Sequence, residues 1–174
     1  MRFDKSLVFV ATKYKDICNI STGSFNTQDK EDGGVYDFYV RSPKVEKINK
    51  YNHDGPAILT AGDGVGVGKV FHYASGKIGV HQRVYILDSF KIINPVYLYY
   101  HFSSLFYNRV RKISAKNSVD SVRYEMISNM QITFPSDTEE MQKVAGLLSI
   151  VDKRIETQNK IIKEQNSHIF SLCF

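Results

Sequence analysis

The sequence predicts an α+β chain: a globular part over residues 1–135, with a mixed β-sheet and a few helices, followed by one long coiled-coil helix over residues 136–174. Three observations predict it. Short β-branched and aromatic runs, cut by Gly, Asn, Asp and Pro, fill most of the first part and read as strands. One longer apolar stretch after Asn94-Pro95 has helical length. From Met141 onward, apolar residues recur on a strict heptad, the signature of a helix that pairs with another helix.

In chain order, the runs at 35–40, 57–61 and 79–88 are the clearest strand candidates, each bounded by turn-forming residues. Ser75-Gly76 lies between aromatic-rich segments and predicts a hairpin that opposes His72 and His81. After Pro95, placed where a helix can begin, apolar residues occupy more than one face as far as Val110, predicting a buried helix. A shorter helix is expected near residues 122–129, then a strand over 130–134 ended by Pro135. Ser136-Asp137-Thr138-Glu139 next supplies a capping box, with Glu140 a further carboxylate in the first turn. The heptad seam takes Met141, Leu148, Ile155, Ile162 and Ile169 at one position and Val144, Val151, Gln158, Gln165 and Leu172 at the other. Gln158 and Gln165 interrupt it, either fixing register as polar seam residues do or marking where the seam frays. At about 1.5 Å per residue such a helix is roughly 54 Å long, which calls for a partner helix.

Charge divides along the same boundary. Residues 1–136 carry 18 of the 23 Lys and Arg but 12 of the 18 Asp and Glu, so the basic excess belongs to the globular part. That bias suits a polyanion, because each cation placed on a phosphate releases counterions. No apolar stretch is long enough to span a bilayer, and no signal peptide is visible at the N-terminus, so a cytoplasmic location is expected. Cys18 and Cys173 sit near opposite ends without zinc-type spacing and read as reduced thiols.

Motifs for chemistry are few. Gly62-Asp-Gly-Val-Gly-Val-Gly68-Lys69 follows a strand but lacks the Gly and the Ser or Thr of a Walker loop, with Asp63 and Val70 in their places, and it lacks the dinucleotide fingerprint. A tight turn between strands is the simpler reading, with Lys69 and exposed amides available to a phosphate. His72 and His81 lack a third ligand at metal-site spacing and read as hydrogen-bonded sheet residues. Gln82 and Arg83 are candidates for base-edge or phosphate contact, or equally a structural polar pair. The segment from Arg109 to Arg123 holds five basic residues and one acid with Ser and Asn, either a nucleic-acid contact or a solvated basic face. Amino-methyltransferase motifs and a nuclease carboxylate pattern are missing, and neither Ser118 nor Asp120 is spaced with the histidines as a triad. The chain reads as a binder, with no cofactor or metal of its own.

The order of motifs adds a resemblance. Lys13-Tyr-Lys-Asp-Ile-Cys-Asn-Ile-Ser-Thr-Gly23, Phe38-Tyr-Val-Arg41-Ser42, Gly62-Asp-Gly64 with Gly68-Lys69, His81-Gln82-Arg83-Val84-Tyr85, Ser118-Val-Asp120-Ser121-Val-Arg123 and the glutamate-rich helix start, then Gln142-Lys143-Val144-Ala145, together resemble a target-recognition domain of type I restriction-modification specificity subunits. The resemblance implies sequence-specific binding of double-stranded DNA, with one domain reading about half of a two-part target. It implies paired long helices that space two such domains and dock methyltransferase subunits, with restriction subunits joining them. Catalysis, S-adenosylmethionine, Mg and ATP then belong to the partners.

One recognition domain and one helix stand here where a full subunit has two of each, so the chain reads as a half-subunit, whether natural, rearranged or excised. The unpaired seam then predicts a homodimer and a palindromic target around a spacer. The expected DNA contacts are Arg41, Lys69, His72, Lys77, Gln82, Arg83, Lys116, Asn117, Ser118 and Arg123. Two competing readings are a coiled-coil scaffold or regulator whose basic domain binds protein, and an RNA binder that stacks bases on Tyr39, Phe71 and Tyr73.

Overall fold

The computed structural model describes residues 8–113 and 121–172, with side chains through residue 167. In chain order the elements are β1 (Phe9–Lys13), α1 (Tyr14–Ile17), β2 (Asn19–Thr22), β3 (Tyr36–Tyr39), β4 (Glu46–Ile48), β5 (His53–Asp54), β6 (Ala57–Ala61), β7 (Phe71–Ala74), β8 (Lys77–Val80), β9 (Val84–Asp88), α2 (Pro95–Ile113), α3 (Tyr124–Ser128), β10 (Gln131–Pro135) and α4 (Thr138–Leu172). This is the expected mixture of strands and a few helices ending in a long helix. No described helix is long and apolar enough to cross a membrane.

Among the described residues the strands form three sheets. An antiparallel sheet runs β2-β9-β6-β7, a mixed one runs β4-β3-β8-β5 with β3 and β8 parallel, and β1 pairs with β10. β6 explains the layering. All its residues are buried, because Leu59 and Ala57 pack toward the mixed sheet with Val80, Val84 and Ile86 while Ile58 packs toward α2. A strand covered on both faces reads as a continuous apolar run, as residues 57–61 do.

The predicted Ser75-Gly76 hairpin is not formed. β7 pairs with β6 and β8 pairs with β3 and β5, so the chain changes sheets at Gly76, whose φ of 87° favours glycine. His72 lies opposite Leu59, not His81. The expected strand over 79–88 is likewise two strands separated by a turn at Gln82 and Arg83.

α2 begins at Pro95 because Asn94 caps it, its Oδ1 accepting from the amides of Val96 at 2.9 Å and Tyr97 at 3.0 Å. Its buried stripe, Leu98, Phe102, Phe106 and Val110, recurs every fourth residue and packs with Ile58, Leu87, Ile127 and Phe134. The cap of α4 is Asp137 instead of Ser136: Asp137 Oδ1 accepts from the Glu139 amide at 2.8 Å, while the Ser136 amide donates to the Val8 carbonyl.

Met141 and Ala145 are then buried in the core beside α2, so Met141, assigned to the seam by the heptad, is used within this chain. Val144 and Leu148 line a shallow groove with Tyr97 and Tyr100 of α2. Beyond Leu148 the described side chains of α4 are exposed, including Val151, Ile155, Gln158, Ile162 and Gln165. The side chains of Ile169 and Leu172 lie outside the described residues.

Candidate nucleic-acid interface

The strand registers bring several chain segments to one end of the two large sheets. Thr22 pairs with Tyr85, Ala61 with Val84, Thr60 with Phe71 and Tyr39 with Val80. The exits of β2, β3, β6 and β8 and the entries of β7 and β9 therefore share that end. Connections carrying Asn26, Arg41, Asp63, Lys69, Gln82 and Arg83 leave from it. Residue 121 joins them through a bridge to Asp63, and the Val122 amide donates to the Gly62 carbonyl at 2.7 Å, which sets Arg123 beside this face.

At its centre lies a fork that sequence reading missed. Asp63 accepts from Arg41 Nη1 at 2.7 Å on one carboxylate oxygen and from Arg83 Nη1 on the other. Asp63 is only 16% exposed, whereas Arg41 and Arg83 are 44% and 61% exposed, so the carboxylate is the buried anchor and the guanidiniums reach outward. Burial alone raises the Asp63 carboxyl, but the hydrogen bonds and charges of both arginines outweigh it and hold its pKa below the ordinary value.

The backbone around the fork is tightly placed. A Cβ on Gly66 would sit 2.4 Å from the Arg41 carbonyl oxygen, so that close approach requires glycine. The Arg83 amide donates to His81 Nδ1 at 3.0 Å, which leaves the proton of a neutral His81 on Nε2, donating to Thr27 Oγ1 at 3.2 Å. Burial, then the charge of Arg41, lowers the His81 pKa; Arg83 adds to this while Asp63 and Asp29 oppose it. Gln82 Nε2 donates to Asn26 Oδ1, tying the turn to the loop after β2.

The glycine-rich segment after β6 is the tight connection to β7 that its composition suggests. It includes a short 3-10 turn at Gly64–Gly66 and holds Val65 97% exposed at its tip. Lys69 and Arg111 both lie over the Tyr107 ring, at 5.9 and 5.7 Å from its centroid, which adds a second basic cluster beside this loop.

Of the expected contacts, Arg41, Gln82 and Arg83 meet at this end, with Lys69 and Arg123 at its flanks. His72 does not face outward with them. Its half-buried ring packs against Tyr39 and its Nε2 lies 3.4 Å from the Ser42 carbonyl, and burial lowers its pKa. Lys77 is at the opposite end of β8, over Tyr51, because β8 runs from Lys77 toward Arg83. Lys116, Asn117 and Ser118 lie outside the described residues. The rings considered for base stacking have protein neighbours: Tyr39 is buried, Phe71 packs on Phe102, and Tyr73 lies against Tyr99.

Comparison with known proteins gives the same fold. The S subunit of a type I restriction-modification system from M. genitalium superposes with a TM-score of 0.72 at 17% identity, over 90% of this chain and 42% of that one. The HsdS subunit from Thermoanaerobacter tengcongensis gives 0.59 at 12% identity, over 88% and 40%. The EcoDI specificity subunit of Escherichia coli is 26% identical over 157 residues, 85% of this chain and 34% of that relative. The chain thus spans well under half the length of these relatives. The family model for the type I restriction modification DNA specificity domain matches residues 9–165, taking in every strand, the fork and most of α4, and the chain belongs to that family.

Proposed function

We propose that this chain is a non-catalytic, cytoplasmic specificity component of a type I restriction-modification system, reading one part of a two-part duplex target with the strand-end face. The observation that carries this reading is the convergence of Arg41, Gln82 and Arg83, flanked by Lys69 and Arg123, on the connections that leave one end of the strands. Arginine and glutamine are the side chains whose paired donors and acceptors match guanine and adenine edges, and lysine suits phosphate. Family membership and the likeness to specificity subunits support it.

In this reading α4 pairs through Val151, Ile155 and Ile162 with the same helix of a second copy, sets the distance between two reading domains, and presents them to methyltransferase subunits and, through these, to restriction subunits. S-adenosylmethionine, Mg and ATP belong to those partners.

The test is selection from a pool of random duplexes followed by affinity measurement across salt. A selected sequence bound at least ~10³-fold tighter than random duplex, with affinity falling as salt rises, is the expected result. Salt-independent binding, or no preference among sequences, would refute it. Retention of methyltransferase subunits on the tagged chain tests the partner assignment.

A further inference from the structure

The fork contains an anion where plain phosphate attraction would favour none. Asp63 cancels one of the two arginine charges at the centre of a basic face, which weakens counterion-release binding. What it supplies is orientation. Each arginine uses one nitrogen on Asp63, its guanidinium carries further donors, its side chain is substantially exposed, and both residues are anchored at the backbone, by the Gly66 approach and by the His81 bond.

Resting on the DNA-reading function above, we infer that Arg41 and Arg83 read guanines through their major-groove edges, and that Asp63 is the positioning residue that fixes both guanidiniums for it. A planar guanidinium matches O6 and N7 of guanine with two parallel hydrogen bonds, a match that needs a fixed plane. Asp63 is only 16% exposed and each of its oxygens already accepts from an arginine, so the outward-reaching guanidiniums, not the carboxylate, are the groups presented to a base edge. Sharing one carboxylate keeps the two guanidiniums within reach of neighbouring base pairs, which repeat every ~3.4 Å along a strand. The cleft beside the fork, lined by Thr27, Val40, Ser42, Gly64 and Val65, leaves the outward side of Arg41 open.

The experiment uses the full chain and its selected duplex, with each guanine replaced in turn by 7-deazaguanine, which lacks only the N7 acceptor. At one or two neighbouring guanines the wild type is expected to lose roughly tenfold to a hundredfold in affinity. Asp63→Asn is expected to bind random duplex more tightly, having lost a negative charge, and to lose most of its sensitivity to 7-deazaguanine. Arg83→Lys keeps the charge but not the planar fork, and provides a second route should Asp63→Asn not fold; its preference for the selected over the random duplex is expected to fall at least tenfold. Lys77→Gln, at the far end of β8, serves as the unchanged control.

A wild type that selects a sequence yet tolerates 7-deazaguanine at every position would overturn the guanine assignment and leave DNA reading standing. Folded Asp63→Asn and Arg83→Lys proteins that discriminate as the wild type does would overturn it too. Failure to select any sequence would instead remove the DNA reading on which the inference rests.

Discussion

Replacing Ile155 and Ile162 together by glutamate isolates the task of the exposed part of α4. In the single chain these side chains are 53% and 52% exposed, so their substitution disturbs nothing in the core. Burying an isoleucine fully is worth about 1.5–3 kcal/mol, so covering the exposed half of each is worth about 1 kcal/mol. A symmetric pair of copies contains both residues twice, and losing all of these burials weakens association by about 4 kcal/mol, or roughly a thousandfold in Kd. Charge repulsion across the seam adds to the loss. Sedimentation velocity over a concentration series measures it, with far-ultraviolet circular dichroism as the check on folding. Met141→Ala provides the contrast: it opens a cavity beside α2 and destabilises the chain by about 2–5 kcal/mol, with no direct effect on the seam. An unchanged association constant in the doubly substituted protein, or a wild type that is monomeric at high concentration, would refute the pairing of α4 through this stripe.

Other expectations follow from the core and its buried groups. Phe106→Ala, at the stacked Phe102–Phe106 pair in the centre of the α2 stripe, lowers stability by about 3–5 kcal/mol in denaturant titration, and a loss under 1 kcal/mol would contradict its place in the core. Burial lowers the pKa of His72, His81 and His101 in the folded chain. The unfolded chain therefore takes up protons first as pH drops below about 6.5, so this contribution to stability is complete above that pH and is lost as pH falls toward the folded values. Tm is expected to fall between pH 7.5 and 5.5, and a Tm that rises on acidification would contradict the assignment. The Cys18 thiol is pushed up to about 12 by burial and by Asp88, against Lys91, so its peptide stays unmodified by iodoacetamide at pH 8 in the folded chain and reacts after denaturation.

Local features of this fold were legible in the sequence wherever the signal was local. The continuous apolar run of β6, the Pro95 start of α2 and the long helix of α4 are each carried by the residues of one segment. What the sequence did not disclose depends on chain crossings. Ser75-Gly76 has the composition of a hairpin, yet the chain leaves one sheet for another there, because β3 and β5 provide partners for β8 that no short-range pattern announces. Seam membership of Met141 failed for a similar reason: the heptad gives its period but not that α2 covers the first turns.

The candidate site was partly legible. Arg41, Gln82, Arg83 and Lys69 stood out by residue type, but Asp63, which unites two of them, is separated from Arg41 and Arg83 by 22 and 20 residues. Its one local hint is its position in a glycine-rich loop, in the place where a phosphate loop has glycine. Lys77 was named by charge alone, and strand direction puts it at the other end of the sheet.

Photocrosslinking from single positions tests whether duplex DNA lies on the strand-end face. Val65, 97% exposed at the tip of the Gly62-Lys69 loop, and Lys77, beside Tyr51 at the far end of β8, are each replaced by benzoylphenylalanine and irradiated with the selected duplex. DNA on the strand-end face gives an adduct from position 65 and none from position 77. Adducts from position 77 alone would contradict it.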